Sequence, residues 1–437
     1  MSIAPHFELG RIFERDNIEF RKSAGSVLSG GMLGVGILFT LLTIGGALGG
    51  DAATKSVALH AFYVGAIVAL GFPLGALAFH MICNVTNAGW AALLRRQFEN
   101  MMSLAWLGCL FVLCAFLFQA LLVNVSDVTT DKAAGVYAPF LWNWMDPNYV
   151  KGDVLYDHKQ PFLNLPLFLF LSIVYAAVYI GLSKVLCGLA KRQDEDASRW
   201  HTLTMGRLST IGLVLYAFAT MFAAFHWIMT LDFHWFSTMY GVYFFAGNLV
   251  SALALLTAIF IALRFFGKLN GAFTDEHLHD MSKFVFGFTV FWAYISFSQY
   301  FLIWYANIPE ETAYFTMRRD EWTALSFLLP IGHFIVPFLV LLPRPAPQRR
   351  TGVRHVLLDG VHAHRRCVLE HPPRSEDGSP RLLVARRRGC SRPGADLRRP
   401  ARPQDREPAA YPAARPAHHR SPFAQELRLT PARSERR

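Results

Sequence analysis

The chain has 437 residues, 53% hydrophobic and 14% aromatic, with 17% charged. Its apolar residues gather in uninterrupted runs of the about 20 residues that cross a bilayer, which excludes an ordinary soluble domain. The net charge of +11 invites a nucleic-acid reading, but much of it sits in the C-terminal tail and not on the apolar body.

Residues 1–25, "MSIAPHFELGRIFERDNIEFRKSAG", mix both charge signs. They lack the short apolar core and small-residue cleavage site of a signal peptide, so a retained cytoplasmic segment is expected. Residues 26–343 read as a transmembrane domain of about eight spans. Their limits are Ser26–Leu48, Val57–Cys83, Met101–Val123, Phe162–Leu186, Leu208–Leu231, Met239–Phe265, Met281–Ala306 and Trp322–Leu342. The expected fold class is all-α, a polytopic transmembrane helix bundle. Asn87–Asn100, with Arg95 and Arg96 on one side and Trp90 and Leu94 on another, predicts an interfacial approach to the third span.

Arg11, Arg15, Arg21 and Lys22 precede the first span, and Arg95 and Arg96 follow the second. Lys184, Lys191, Arg192, Arg199 and Arg207 surround the gap after the fourth, and Arg264, Lys268 and Lys283 the gap after the sixth. Far fewer basic residues lie in the alternate gaps, so the positive-inside rule predicts a cytoplasmic N-terminus. On the other face lie two longer loops, Asn124–Pro161 and Asn307–Glu321. The first, rich in Trp, Tyr and Asp, suits a docking partner and an ordinary interfacial loop equally well.

The tail, 344–437, is Arg- and Pro-rich, and from Thr351 onward it contains no Lys, Asn, Ile, Met or Trp. Disordered tails usually keep Lys and Asn. Apart from Trp, the missing residues have A/T-rich codons, so the segment reads as disordered and as a high-GC gene translated out of frame from about Pro345. The alternative is a genuine basic tail for anionic lipid or nucleic acid. The expected partner of the body is the lipid bilayer, and no nucleic acid.

Ionisable groups within or at the ends of spans are costly, and therefore candidate sites. The stretch "FHWIMTLDFHWFSTMYG" holds three, His226, Asp232 and His234. His226 and Thr230 share a helix face near the outer surface. Asp232 is either the N-cap of the sixth span or a carboxylate disfavoured by the C-terminus of the fifth. His234, beside Trp235 and Phe236, is either an interfacial belt residue or a base. Together they form a candidate proton-exchange cluster.

In the seventh span Ser298 and Gln299 predict interhelical hydrogen bonds or, with Tyr294, a proton path. In the eighth, Pro330 and Pro337 interrupt the backbone ladder around His333, near mid-membrane, so a kinked structural helix and a functional histidine both remain open. Gly71 and Gly75 predict close packing of the second span. Cys83, Cys109, Cys114 and Cys187 show no CxxC spacing and read as small buried hydrophobes. No metal, haem or iron–sulfur signature is present.

Three stretches resemble a known family: "FHWIMTLDFHWFSTMYGVYFFAGN", "DEHLHDMSKFVFGFTVFWAYISFSQYFLIWYANIPEET" and "GHFIVPFLVLLPRPA", with "GWAALLRRQFEN" before the third span. They are similar to the second large integral membrane subunit of alternative complex III, a bacterial quinol:cytochrome c (or quinol:oxidase) oxidoreductase, within the polysulfide-reductase-type membrane-subunit superfamily. The resemblance covers roughly Phe20 to Arg344. It implies two four-helix bundles with outer helices, ten spans in all, the second bundle here being truncated. It implies no covalently bound cofactor, with quinol or quinone as the substrate of the complex. The implied partners are a sister quinol-binding membrane subunit and iron–sulfur and multihaem cytochrome c subunits, in the bacterial inner membrane. Scaffolding and proton conduction follow for this chain, through His226, Asp232, His234 and the polar groups of spans five to eight. Two rivals remain: a quinol-binding membrane anchor of a polysulfide- or nitrite-reductase-type enzyme, and a secondary transporter with paired broken helices.

Overall fold

The computed structural model describes residue 17 and residues 22–316 and 322–342. The 344–437 tail lies outside the described residues, as does most of 1–25. Eight described helices are long and apolar enough to cross a membrane. They are α1 (Gly25–Gly49), α2 (Ala52–Val85), α3 (Arg95–Asn124), α4 (Leu165–Asp196), α5 (Arg199–Asp232), α6 (Tyr240–Phe265), α7 (Asp275–Ala306) and α8 (Thr323–Leu341). The chain is an all-α, multi-pass membrane protein.

Four of these helices start on a polar capping side chain. Asp51 caps α2 by accepting from Thr54 N–H at 3.0 Å. Asn164 caps α4 through Leu167 N–H at 2.9 Å, ahead of Pro166, and Ser198 caps α5. Thr274 and His277 form a capping box on α7. The amphipathic Arg95–Met102 turns into the apolar part of α3 at Ser103 and Leu104, as the interfacial pattern predicted.

Helices α2, α3, α4 and α5 close into a ring, each packed on the next and α5 returning to α2. Outside it, α6 lies on α2 and α5, α7 on α6, and α8 on α7, while α1 touches α2. Two-thirds (67%) of the α2 membrane window is buried, against 0% for α1 and α8, so α2 is the central post. Lipid tails are as apolar as leucine, so helix association here rests on close contact and buried polar groups. The glycines of α2 provide such contact. A Cβ at Gly75 would stand 2.0 Å from the Asn248 backbone oxygen on α6, and one at Gly71 2.7 Å from Asn248 Oδ1.

Among the described residues, two π turns interrupt the helices. In α8, Ile331–Ile335 forms one between Pro330 and Pro337, the break expected around His333, whereas α2 runs through Pro73 uninterrupted. In α5, Ala224–Ile228 forms the other, and the Trp227 carbonyl there accepts from Tyr63 OH (2.5 Å) and Trp142 Nε1 (3.0 Å).

Trp142 belongs to the long loop between α3 and α4, which folds back onto its own bundle. Gln119 Oε1 accepts from the N–H groups of Leu141 (2.8 Å) and Trp142 (3.1 Å), and both Trp142 and Trp144 are buried. These tryptophans are core residues of this chain. At the other end, Asn17 accepts from Asn270 N–H (2.8 Å) and donates to Asn270 O (3.0 Å), which places Asn17 beside the α6–α7 connection.

Candidate functional site

The α3–α4, α5–α6 and α7–α8 connections meet at one end of the bundle, where Asp153 organises a cluster. Asp153 heads the short helix Val154–Lys159, its Oδ1 accepting from Leu155 and Tyr156 N–H. Its Oδ2 lies 2.7 Å from His234 Nε2, and His234 Nδ1 lies 3.9 Å from Asp232 Oδ1. Lys159 Nζ donates to the Phe233 carbonyl at 2.6 Å and sits over the Phe236 ring. Beside Asp232 and His234 is a cavity of about 330 Å³, also walled by Asn143, Tyr149, Glu310 and Tyr314.

The electrostatics follow from that crowding. Burial raises the Asp153 carboxyl, but the hydrogen bond from His234 and those from the Tyr156 and Leu155 N–H groups outweigh it and leave it below its ordinary value. Burial lowers the Lys159 ammonium, opposed by the charges of Asp232 and Asp153. Burial raises the Tyr149 phenol, and Asp232 adds to the shift.

Asp232 is not the N-cap of the sixth span. It closes a 3₁₀ turn, Met229–Asp232, and its Oδ1 accepts from His234 N–H at 3.3 Å. The α-helical part of α6 starts after Met239, without a side-chain cap. The seven residues in between give Asp232 a tight polar turn of its own.

His226 is held apart from this cluster, wholly buried inside the α2–α5 ring. Its Nδ1 is 2.9 Å from Tyr175 OH, and its ring stacks on Phe162 at 4.1 Å. Nε2 makes no hydrogen bond of normal geometry, although the Phe162 backbone lies near it. Thr230 donates to the His226 carbonyl, as the shared face predicted.

From His226 a column of buried polar side chains runs through the ring. Tyr175, Tyr179, Ser183 and Cys187 follow at four-residue intervals along α4, one inward face of a helix. Tyr179 OH donates to Thr220 Oγ1 of α5 at 3.3 Å, and Tyr216 OH to the Leu74 carbonyl of α2 at 3.0 Å. Ser183 Oγ donates to Met102 O at 2.6 Å, and Asn84 Nδ2 to Ser209 Oγ at 3.2 Å.

The column ends at Glu99, only 3% exposed, at the basic end of the bundle. Arg96 bonds Glu99 Oε2 at 2.7 Å, while Arg95 Nε faces Oε1 at 2.8 Å as a charge contact without aligned hydrogen-bond geometry. Arg96 also pairs with Asp194, and Arg95 donates to Gln193 Oε1 at 3.0 Å. His80, buried with its Nε2 unpartnered, lies on the α2 side of this end.

The other expected residues fall elsewhere. Gln299 accepts from Ser237 Oγ at 3.1 Å, tying α7 to the α5–α6 turn and not, as expected, to a neighbouring helix. Ser298 is half-buried, and Tyr294 is 64% exposed on the outer surface of α7. His333 sits at the α8 π turn with the Trp292 ring edge-on at 4.2 Å.

Of the three residues expected in one cluster, Asp232 and His234 lie together and His226 lies apart; sequence reasoning missed Asp153, Lys159, Glu310, Tyr175, Tyr179, Thr220 and Glu99. The four-residue spacing from Tyr175 to Cys187 was the available signal for the column. Among the described residues no group of three or more His, Cys, Asp and Glu side chains forms a metal-holding set. No family model matches the chain, and no curated protein matches it.

Proposed function

We propose that this chain is an integral subunit of a respiratory quinol:cytochrome c, or quinol:oxidase, oxidoreductase of the bacterial inner membrane, with its N-terminus cytoplasmic. Its role there is scaffold and proton path, while haem and iron–sulfur groups belong to partner subunits. The resemblance of the Phe225–Pro345 region supports the complex, and the buried column from Glu99 to His226 supports the proton role. Burying that many polar groups in a ring surrounded by lipid is costly for a mere spacer.

In this reading Glu99 exchanges protons at the cytoplasmic end under the field of Arg95 and Arg96. The hydroxyls of Ser183, Tyr179, Thr220 and Tyr175 relay them to His226. Neighbouring α4 positions are about 6 Å apart along the helix, four residues at 1.5 Å each; one bridging water spans such a step. The Asp232–His234–Asp153 cluster is the exchange point at the outer face. A quinol releases two protons with its electrons, and a carboxylate–imidazole pair is suited to receive them.

Two measurements test this. Mass spectrometry of the complex purified from native membrane should find multihaem and iron–sulfur companions; their absence refutes the complex. In that complex, Tyr175→Phe and Glu99→Gln should leave quinol oxidation nearly intact and lower the protons moved per electron. Unchanged proton movement in both variants refutes the path.

A further inference from the structure

A cavity of about 400 Å³ at His333, between α2, α6, α7 and α8, is walled mostly by apolar side chains such as Phe72, Val250 and Leu255. The cavity of about 330 Å³ beside Asp232 and His234 differs from it in charge and in place. Its wall comes from the α3–α4 connection, from the end of α5 with the turn that follows, and from the short helix Pro309–Thr316 in the α7–α8 connection. Two carboxylates, Asp232 and Glu310, line it with the rings of Tyr149, Phe233, Trp235 and Tyr314; among the described residues no Arg or Lys does. Trp235 and Tyr314 stack at 4.0 Å, and Phe233 packs edge-on to Tyr149 at 6.1 Å. Neither carboxylate is neutralised. Among the described residues Glu310 has no ion-pair partner. Asp232 has His234 Nδ1 at 3.9 Å, but Asp153 already holds that imidazole at 2.7 Å. The Lys159 ammonium feels the charge of Asp232 and bonds the Phe233 carbonyl at 2.6 Å.

We infer that this cavity binds an organic cation: the guanidinium or ammonium end of a flexible apolar stem, as in an arginine or lysine side chain presented at this face. The carboxylates are charge-assisted acceptors for such a group, and aromatic faces attract it. The wall already shows the second effect, with Lys132 Nζ 4.9 Å from the centroid of the Tyr149 ring. An anion would meet two carboxylates and no basic wall residue. A metal ion finds too few ligands, since no set of three or more His, Cys, Asp and Glu side chains forms among the described residues. The volume is at the small end of the about 300–1,000 Å³ usual for ligand sites, which suits a single side chain or head group. The inference goes beyond the scaffold and proton role and depends on neither.

The test is isothermal titration of the full chain in maltoside detergent, which carries no cation. The probe is N-acetylarginine methylamide, and its citrulline analogue, of the same shape without the charge, is the control. Wild type should bind the arginine probe saturably, more weakly as salt is raised, and should not bind the citrulline probe. Asp232→Asn and Glu310→Gln should each weaken binding about tenfold. Ala313→Phe, which fills the cavity, should abolish it. Thermal unfolding of each variant identifies any loss that is only misfolding. Equal binding of the citrulline probe overturns the inference, as does unaltered binding in a folded Ala313→Phe. Binding that appears only when Arg318→Gln and Arg319→Gln are introduced also overturns it, because the chain then fills the cavity itself. Added phosphatidylethanolamine separates two sources of the same chemistry: competition with the probe assigns the site to a lipid head group, and unchanged binding assigns it to a protein side chain. The readout needs no partner subunit. A negative result leaves the proposed complex and proton path standing, and their failure leaves this site standing.

Discussion

Replacing Gly75 by alanine probes the contact that seats α6 on the central post. The added Cβ would stand 2.0 Å from the Asn248 backbone oxygen, 2.6 Å from its carbonyl carbon and 2.7 Å from Ala252 Cβ. Ordinary C···O contacts are about 3.3 Å or longer, so the helices must part by about 1.3 Å. The obstacle is backbone inside α6 and cannot rotate away. A radial gap of about 0.5–1 Å already forfeits a quarter to a half of each dispersion contact. The buried Leu74, Leu77, Leu249 and Leu253 lie along this part of α2 and α6. The cost is therefore expected at the upper end of the ~1–3 kcal/mol typical of overpacking. Gly71→Ala meets only Asn248 Oδ1, at 2.7 Å, an end that can swing, and should cost under about 1 kcal/mol. Gly108→Ala, facing Leu70 Cα at 2.8 Å, should fall between them. Thermal unfolding in detergent, followed by a thiol dye that reads exposure of the buried Cys109, should rank Gly75→Ala below Gly108→Ala and Gly71→Ala nearest wild type. Equal losses at Gly71 and Gly75 would refute the argument from backbone approach.

Tyr175→Phe removes the hydroxyl on His226 Nδ1 and should cost about 1–3 kcal/mol, because a buried nitrogen loses its partner. Adding His226→Phe should cost less than the same change in wild type, giving a measurable coupling in a double-mutant cycle. Glu99→Leu leaves Arg95 and Arg96 without their buried carboxylate and should destabilise by about 3 kcal/mol, the low end for a broken buried pair, since Arg96 keeps access to solvent. Asp153→Asn tests the pH dependence: the folded-state carboxyl is depressed, so its contribution is present above the unfolded value and lost as pH falls through the lower folded one. Because His234 is about half exposed, the gap from wild type at neutral pH should be under about 1 kcal/mol. It should close as pH drops below the ordinary aspartate value of about 3.9, as read by chemical denaturation across pH.

The membrane class and the eight spans were legible because uninterrupted apolar length is a local property. The close packing at Gly71 and Gly75 and the break around Pro330 were legible for the same reason: each follows from a residue's own geometry. Asp232 showed the limit of that kind of reading. A capping residue and a turn residue look alike until the start of the next helix is known, and α6 starts eight residues later. Asp153 was out of reach, because it lies 81 positions before His234 in the chain and reaches it from a long loop anchored by the buried Trp142 and Trp144.

The polar column was hidden for a different reason. Tyr175, Tyr179 and Ser183 sit in a helix apolar on nearly every side, so the usual contrast between wet and dry faces vanishes when the outside is lipid. In such helices the informative pattern is polarity at four-residue spacing within an otherwise apolar run, and it points to the bundle interior, not to solvent. On that criterion α4 carries one column, and Thr220, Tyr216 and Ser209 of α5 answer it across the ring. By the same criterion α7 presents Tyr294 and Leu302 outward, and its interior positions are Trp292, Ile295 and Ile303. The buried hydroxyls of this protein therefore gather in the α2–α5 ring, with α6 to α8 left to line the cavity at His333.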